Sequence, residues 1–174
     1  INKGKRRKYE YQSDVYLSNA FDANNAKSNL DHRITFAMER EEEEFYTQGY
    51  STIDRDMDSS GFALEYGLNL NDQWFATVAG RRDLNSEFQN DNTYRFTLAG
   101  WVLSNLRIHS SKATGIKNPS LRELYGSTET YKGNENLTPE KNVTWDFGTE
   151  YHFDIIDGYL DVTYLHSDVR NMII

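Results

Sequence analysis

Apolar and polar residues alternate with a period of two along most of this chain, and no other feature constrains its fold as much. Successive side chains of a strand point to opposite faces, so each such segment reads as a strand with one apolar face. Tyr9, Tyr11, Val15 and Leu17 alternate with Glu10, Gln12, Asp14 and Tyr16. Ile34, Phe36 and Met38 alternate with Arg33, Thr35, Ala37 and Glu39. Phe62, Leu64, Tyr66, Leu68 and Leu70 alternate with Ala63, Glu65, Gly67 and Asn69. Tyr94, Phe96, Leu98 and Val102 alternate with Arg95, Thr97, Ala99 and Trp101. Leu106 and Ile108 oppose Arg107 and His109, and Leu160, Val162 and Tyr164 oppose Asp161, Thr163 and Leu165. Val143, Trp145, Phe147, Tyr151 and Phe153 face away from Thr144, Asp146, Gly148, Glu150 and His152. Around Trp74–Arg82 the phase is ambiguous, because Trp74, Phe75 and Val78 do not share a face.

These segments predict about eight antiparallel strands in an up-and-down meander, an all-β class. Connections alternate in length. DANNAKS, NLND, VLSN and DIIDG are short, whereas 41–60, 83–93 and 112–142 are read as longer polar connections. Within the first of these, Glu41–Glu44 reads as a solvated extension of a strand. Twelve Tyr, nine Phe and only two Pro favour strands over helices. There is no Cys, so disulfides and thiolate metal sites are excluded. A net charge of −8 argues against a nucleic-acid partner. The basic start, INKGKRRKYEY, is followed by no apolar stretch and does not read as a signal peptide. No apolar run is long enough for a membrane helix.

Alternation alone leaves the apolar face free to point either way. In a soluble β-rich binding domain it would line a dry interior, and in a membrane barrel it would meet lipid. The polar phase mixes small residues (Ala63, Gly67, Ala99, Gly148) with charges of both signs (Glu65, Arg95, Arg107, Asp146, Glu150), as a hydrated wall against another polar body would. Trp74, Tyr94, Tyr151 and Phe153 lie toward strand ends, where a bilayer interface would hold them.

One stretch is more specific. After a strand come Gly115, Ile116, Lys117, Asn118, Pro119, Ser120 and Leu121, then Leu124, Tyr125 and Gly126. Gly133, Asn134, Glu135, Asn136, Leu137, Thr138, Pro139, Glu140 and Lys141 follow, leading into a strand with Trp145, Gly148, Glu150 and Tyr151. Order, spacing and residue types resemble the "G-F-K-A-P-S-L…L-Y", "G-N-P-N-L-x-P-E-K" and "x-E-x-G-x-E-Y" elements of the TonB-dependent outer-membrane receptors. YLDVTYLHSDVRNMI resembles that family's next strand. Asn118 departs from the usual Ala, and Glu135 from the usual Pro.

The resemblance implies that residues 1–174 are part of a transmembrane β-barrel of about 22 strands. A plug domain and the C-terminal strands would lie outside this sequence. It further implies a location in the bacterial outer membrane, with lipid and lipopolysaccharide outside, a plug inside and TonB as the energy partner. The ligand would be a ferric siderophore or similar chelate, or alternatively cobalamin, and no enzyme activity is implied. Arg33, Glu65, Arg95, Arg107, Asp146 and Glu150 would face the lumen. The loop residues Gly115, Lys117, Pro119, Tyr125, Asn134, Asn136, Leu137, Pro139, Glu140 and Lys141 either shape a connector or touch ligand.

In the connection 41–60, Asp54, Asp56 and Asp58 of DRDMDSSG offer oxygen ligands for calcium, and no other cofactor is expected. His109 and His152 share the polar phase, but no histidine lies between Ile116 and Leu137, where haem receptors of the family usually carry one. Ser110 and Ser167 each adjoin a histidine in sequence, which puts the pair on opposite faces and supports no catalytic dyad.

Overall fold

The computed structural model describes residues 2–17, 30–48, 52–127 and 130–173. They form one eight-stranded antiparallel sheet whose spatial order follows the chain. The strands are β1 (Asn2–Tyr16), β2 (Leu30–Gln48), β3 (Thr52–Leu70) and β4 (Trp74–Asn85), then β5 (Asp91–Leu103), β6 (Leu106–Lys117), β7 (Glu140–Phe153) and β8 (Gly158–Arg170). A short helix, α1 (Leu121–Tyr125), interrupts the β6–β7 connection. The meander expected from the alternation is therefore present. The connection DANNAKS falls outside the described residues.

Register fixes which residues share a face. One transverse row runs Asp14, Thr35, Glu65, Ala79, Arg95, Ala113, Thr144 and Ser167. The adjacent row on the other face runs Val15, Ile34, Tyr66, Val78, Phe96, Lys112, Trp145 and His166. The apolar row is the open one. Phe62 is 43% exposed, Leu64 58%, Phe96 51% and Trp145 40%, while Gly61, Gly67 and Gly148 on the polar face are buried by neighbouring side chains. The apolar residues thus share no dry interior, and the inward-facing soluble arrangement does not exist in this sheet. Trp74 and Val78 lie on the apolar face and Phe75 on the polar one, which resolves the ambiguous phase.

The three long connections are shorter than the sequence suggests. Residues 41–60 are mostly strand, because β2 and β3 each run 19 residues. A tilted membrane strand needs about 9–11. The surplus projects beyond the apolar belt as a tall hairpin, and Glu41–Glu44 form part of it as expected. Its strand character is hidden in the sequence because polar residues occupy both of its phases. Only 86–90 join β4 to β5, and 118–139 join β6 to β7.

The basic run of β1 holds this projection. Lys5, Arg6, Arg7 and Lys8 lie opposite Glu44, Glu43, Glu42 and Glu41. Arg6 meets Glu41 at 2.6 Å and Lys8 meets Glu39 at 3.3 Å on one face, and Arg7 meets Glu42 at 3.4 Å on the other. At the opposite end the turns are tight. Asn71 and Asp72 take φ of 58° and 56°, and Gln73 N–H donates to Leu70 C=O at 3.0 Å. Two successive left-handed residues make the hairpin turn that suits strand twist, and Asn and Asp tolerate that region best among side-chain-bearing residues.

Candidate functional site

The polar face carries a set of cross-strand ion pairs. Arg33 Nη2 donates to Glu65 Oε1 at 2.9 Å. Arg81 reaches Asp83 at 2.6 Å and also bonds Glu39. Nearer the tight turns, Arg107 donates to Glu150 at 3.2 Å, and His152 Nε2 lies 2.5 Å from the other oxygen of Glu150. His109 Nε2 lies 3.1 Å from Asp161, which also accepts from Thr163 at 2.8 Å. Asp146 accepts from the Ser111 N–H at 3.1 Å and from the Ser111 hydroxyl. Trp101 and Tyr159 flank the His152 ring at 5.1 and 5.6 Å between centroids.

All six residues assigned to the lumen, Arg33, Glu65, Arg95, Arg107, Asp146 and Glu150, share this face. Four are spent on each other: Arg33 on Glu65 and Arg107 on Glu150. Arg95 stands apart. It rises between Ala79 and Ala113 and makes no ion pair or hydrogen bond among the described residues. A hollow of about 220 Å³ floored by Ala63, Ala79, Thr93 and Ala113 lies beside it.

The long β6–β7 connection is built to hold one shape. Ser120 caps α1 by accepting from Glu123 N–H at 3.3 Å, and Glu123 accepts in return from Ser120 N–H at 2.8 Å. That capping box satisfies two helix-end donors reciprocally. It also holds the Glu123 carboxyl below its ordinary range, the Ser120 N–H being the largest cause. The second motif element then locks onto the first. Gly133 N–H donates to Gly126 C=O at 2.6 Å, and Asn134 N–H to Glu123 C=O at 2.9 Å. A Cβ on Gly133 would lie 2.5 Å from the Leu124 carbonyl oxygen, so this approach admits only glycine. The Asn134 side chain accepts from Asn136 N–H at 3.0 Å, a local turn bond.

The loop does not stay over its own roots. Leu121, fully buried, packs with Phe45 of β2 and Met57 of β3, and Phe88 and Tyr125 join the cluster. Arg55 lies 5.3 Å over the Tyr125 ring. The connection therefore reaches from β6 across the polar face to the tall hairpin. Beside it, burial raises the Glu43 carboxyl, opposed mainly by Arg6. Lys117 reaches Glu123 at 3.9 Å and Lys141 reaches Asp91 at 2.8 Å. Glu140 accepts from Ile173 N–H at 3.3 Å, and the Pro139 carbonyl from the Asn171 amide at 3.4 Å. Pro119 is buried, Leu137 partly so, and the Gly115 backbone lies against the Asn142 amide. The polar groups of this motif are thus largely spent within the loop and at its strand ends.

One expectation is corrected by this geometry. Asp54, Asp56 and Asp58 lie on a strand, not a loop, and all project along its outer side. Alternate strand residues stand ~7 Å apart and do not converge as calcium ligands must. Asp58 instead takes Arg40 at 3.1 Å. Among the described residues, no group of three or more His, Asp or Glu is placed to hold a metal ion. His109 faces Gly148, whereas His152 lies further along β7 beyond Glu150, so the two histidines share no site. Sequence reasoning missed Arg81, which bonds Glu39 and Asp83 together. The ambiguous phase of its strand hid it from sequence; Gly61, opposite Asp83, leaves the room its guanidinium fills.

The same sheet recurs in solved proteins. It superposes with a TM-score of 0.77 on the siderophore receptor PirA from Pseudomonas aeruginosa, at 20% identity over 95% of this chain and 32% of that one. PirA from Acinetobacter baumannii gives 0.77 at 14% identity, covering 97% and 27%. The Serratia marcescens hemophore receptor HasR, solved with its hemophore HasA and heme, gives 0.74 at 12% identity, covering 97% and 34%. The chain thus spans about a third of the length of these receptors. Residues 3–174 match the family described as TonB dependent receptor-like, beta-barrel. The antiparallel meander agrees with that match, and the chain belongs to the TonB-dependent receptor family as a stretch of its β-barrel.

Proposed function

We propose that this chain is the wall of an outer-membrane receptor that takes up a ferric siderophore or a similar scarce metal chelate. The observation that supports the reading best is the placement of the faces: large apolar side chains stand open on one side, and ion pairs cover the other. In water that arrangement is unfavourable, because contiguous apolar surface of this extent is avoided by soluble monomers. In a bilayer it is the required one, since outward residues meet hydrocarbon and inward residues meet a hydrated lumen. The siderophore receptors among the solved relatives support the chelate as cargo.

The wall's own part is structural. Its outward residues anchor it against lipid and lipopolysaccharide, and its lumen accepts a plug domain that engages TonB. Arg33 and Arg107 are already neutralised by Glu65 and Glu150, so they contribute little field. Arg95 supplies the uncommitted cation, and a carboxylate of the plug, or of an anionic chelate passing it, completes the pair. The folded β6–β7 connection narrows the outer mouth above.

A test is growth and radio-iron uptake under iron limitation, with and without the gene for the parent protein, across a panel of ferric chelates. Loss of one chelate's uptake, restored by the gene on a plasmid and abolished by collapsing the proton gradient, is the outcome expected. Unchanged uptake across the panel would remove the chelate assignment. Release of the parent protein from membranes by salt alone would remove the barrel wall itself.

A further inference from the structure

The apolar outward face is interrupted on β4. Gly80 lies between Leu64 of β3 and Tyr94 of β5, and a side chain built on it would meet nothing within 4 Å. The gap is part of a groove of about 400 Å³ lined by Phe36, Phe62, Leu64 and Gly80, with Arg82 and Asn92 at one end. Arg82 lies between Phe62 and Asn92, where outward positions change from apolar to polar. The next outward residues beyond it on β2 and β3 are Arg40 and Ser60.

Several other cations of the outward face have partners. Arg40 holds Asp58 at 3.1 Å, Lys141 holds Asp91 at 2.8 Å and Arg170 holds Asp168 at 3.3 Å. Arg82 makes no ion pair or hydrogen bond among the described residues, and neither does the Asn92 amide. An unneutralised guanidinium at the end of an apolar groove has a complementary occupant: an amphiphile with an acyl chain and an anionic head. Arginine suits a phosphate in particular, because its planar fork donates two parallel hydrogen bonds, and its stem lies along apolar surface while its head reaches the polar layer.

We propose that this groove binds one phosphate-bearing lipid, its acyl chain lying over Gly80 between Leu64 and Tyr94 and its phosphate held by Arg82 with Asn92 beside it. The inference rests on the reading that the apolar face meets a bilayer. The site fixes the azimuth of the barrel against one lipid, and it supplies an outward role for a cation the lumen does not use.

The test uses the full receptor purified in detergent and native mass spectrometry with phosphatidic acid and phosphatidylcholine of identical acyl chains. The receptor should retain phosphatidic acid over phosphatidylcholine by roughly fivefold, the scale of one basic side chain against an anionic head at a membrane surface. Arg82→Gln should abolish the preference without abolishing retention. Gly80→Leu, which projects into open space and leaves the sheet intact, should cut retention of both lipids. A preference that survives Arg82→Gln, or retention unchanged by Gly80→Leu, overturns the proposal. Displacement of the lipid by inorganic phosphate alone would reduce the site to a bare anion contact and overturn it as well. A receptor that binds neither lipid and stays in solution without detergent would instead overturn the membrane reading beneath it.

Discussion

Gly148 of β7 lies directly across from His109 of β6, and the His109 imidazole occupies the space a Cβ at position 148 would fill, 2.3 Å from its Cε1. The ring is thereby laid over the polar wall, with Nε2 turned to Asp161 of β8. A glycine in a strand interior costs stability and calls for a reason, and close approach of a neighbouring group is one.

Gly148→Ala should therefore displace the ring and break the His109–Asp161 contact. The loss should be about 1–3 kcal/mol, the usual range for overpacking. Adding His109→Ala should recover most of it, because the alanine then has room. Thermal unfolding of the refolded parent receptor measures both, and two losses that simply add would show that the pair is not coupled.

Asn118 departs from the alanine of the motif it resembles, and its side-chain oxygen is buried without a donor among the described residues. An unmatched buried acceptor costs about 1–3 kcal/mol. Asn118→Ala should stabilise the β6–β7 connection by around 1 kcal/mol on that scale. Slower protease cleavage within 118–139 is the readout. Faster cleavage would mean that the amide has a partner in the intact receptor.

The capping box gives that connection an acid sensitivity. Glu123 has its carboxyl lowered by the Ser120 N–H, so its contribution is complete above the ordinary carboxylate range and is lost as pH falls through the lowered value. Hydrogen exchange at α1 should quicken as pH falls below the ordinary glutamate range. Glu123→Gln should exchange faster at neutral pH and lose most of that acid dependence. An unchanged profile would locate the sensitivity elsewhere.

Glu43 behaves with the opposite sign. Burial against the loop raises its carboxyl, so the contribution of the folded contact is complete below the ordinary carboxylate range and is lost as pH rises through the raised value. Glu43→Gln should leave the packing of Leu121 on Phe45 intact and slow exchange at α1 near neutral pH. If exchange quickens instead, the Arg6 attraction outweighs the desolvation.

The ion pairs on the tall hairpin are exposed, and each contributes modestly, about 0–1 kcal/mol. Their collective effect should appear in salt. Replacing Arg6 and Lys8 by glutamine leaves Glu41 and Glu43 side by side on one face without those cations, while Glu39 keeps Arg81. β1 should then exchange faster at low ionic strength and recover partly in high salt, where the repulsion is screened. No salt dependence would mean that backbone pairing alone holds β1.

By itself the sequence determined that there are strands, how many, and which residues share a face. Those are local properties: a side-chain period of two is written in every alternating segment, from Phe62–Leu70 to Val143–Phe153. It also marked the motif of the β6–β7 connection and placed Arg33, Glu65, Arg95, Arg107, Asp146 and Glu150 on one side. It could not show that 41–48 and 52–60 are strand, because polar residues fill both phases of this projection and leave little alternation to read. Nor could it show that the aspartates of DRDMDSSG stand apart along β3. The tertiary structure alone decided that Leu121 buries itself against Phe45 and Met57, and that Arg33 and Arg107 find carboxylates whereas Arg95 meets none among the described residues. These outcomes depend on contacts between residues distant in sequence, and neither composition nor periodicity encodes which distant neighbour a side chain will meet.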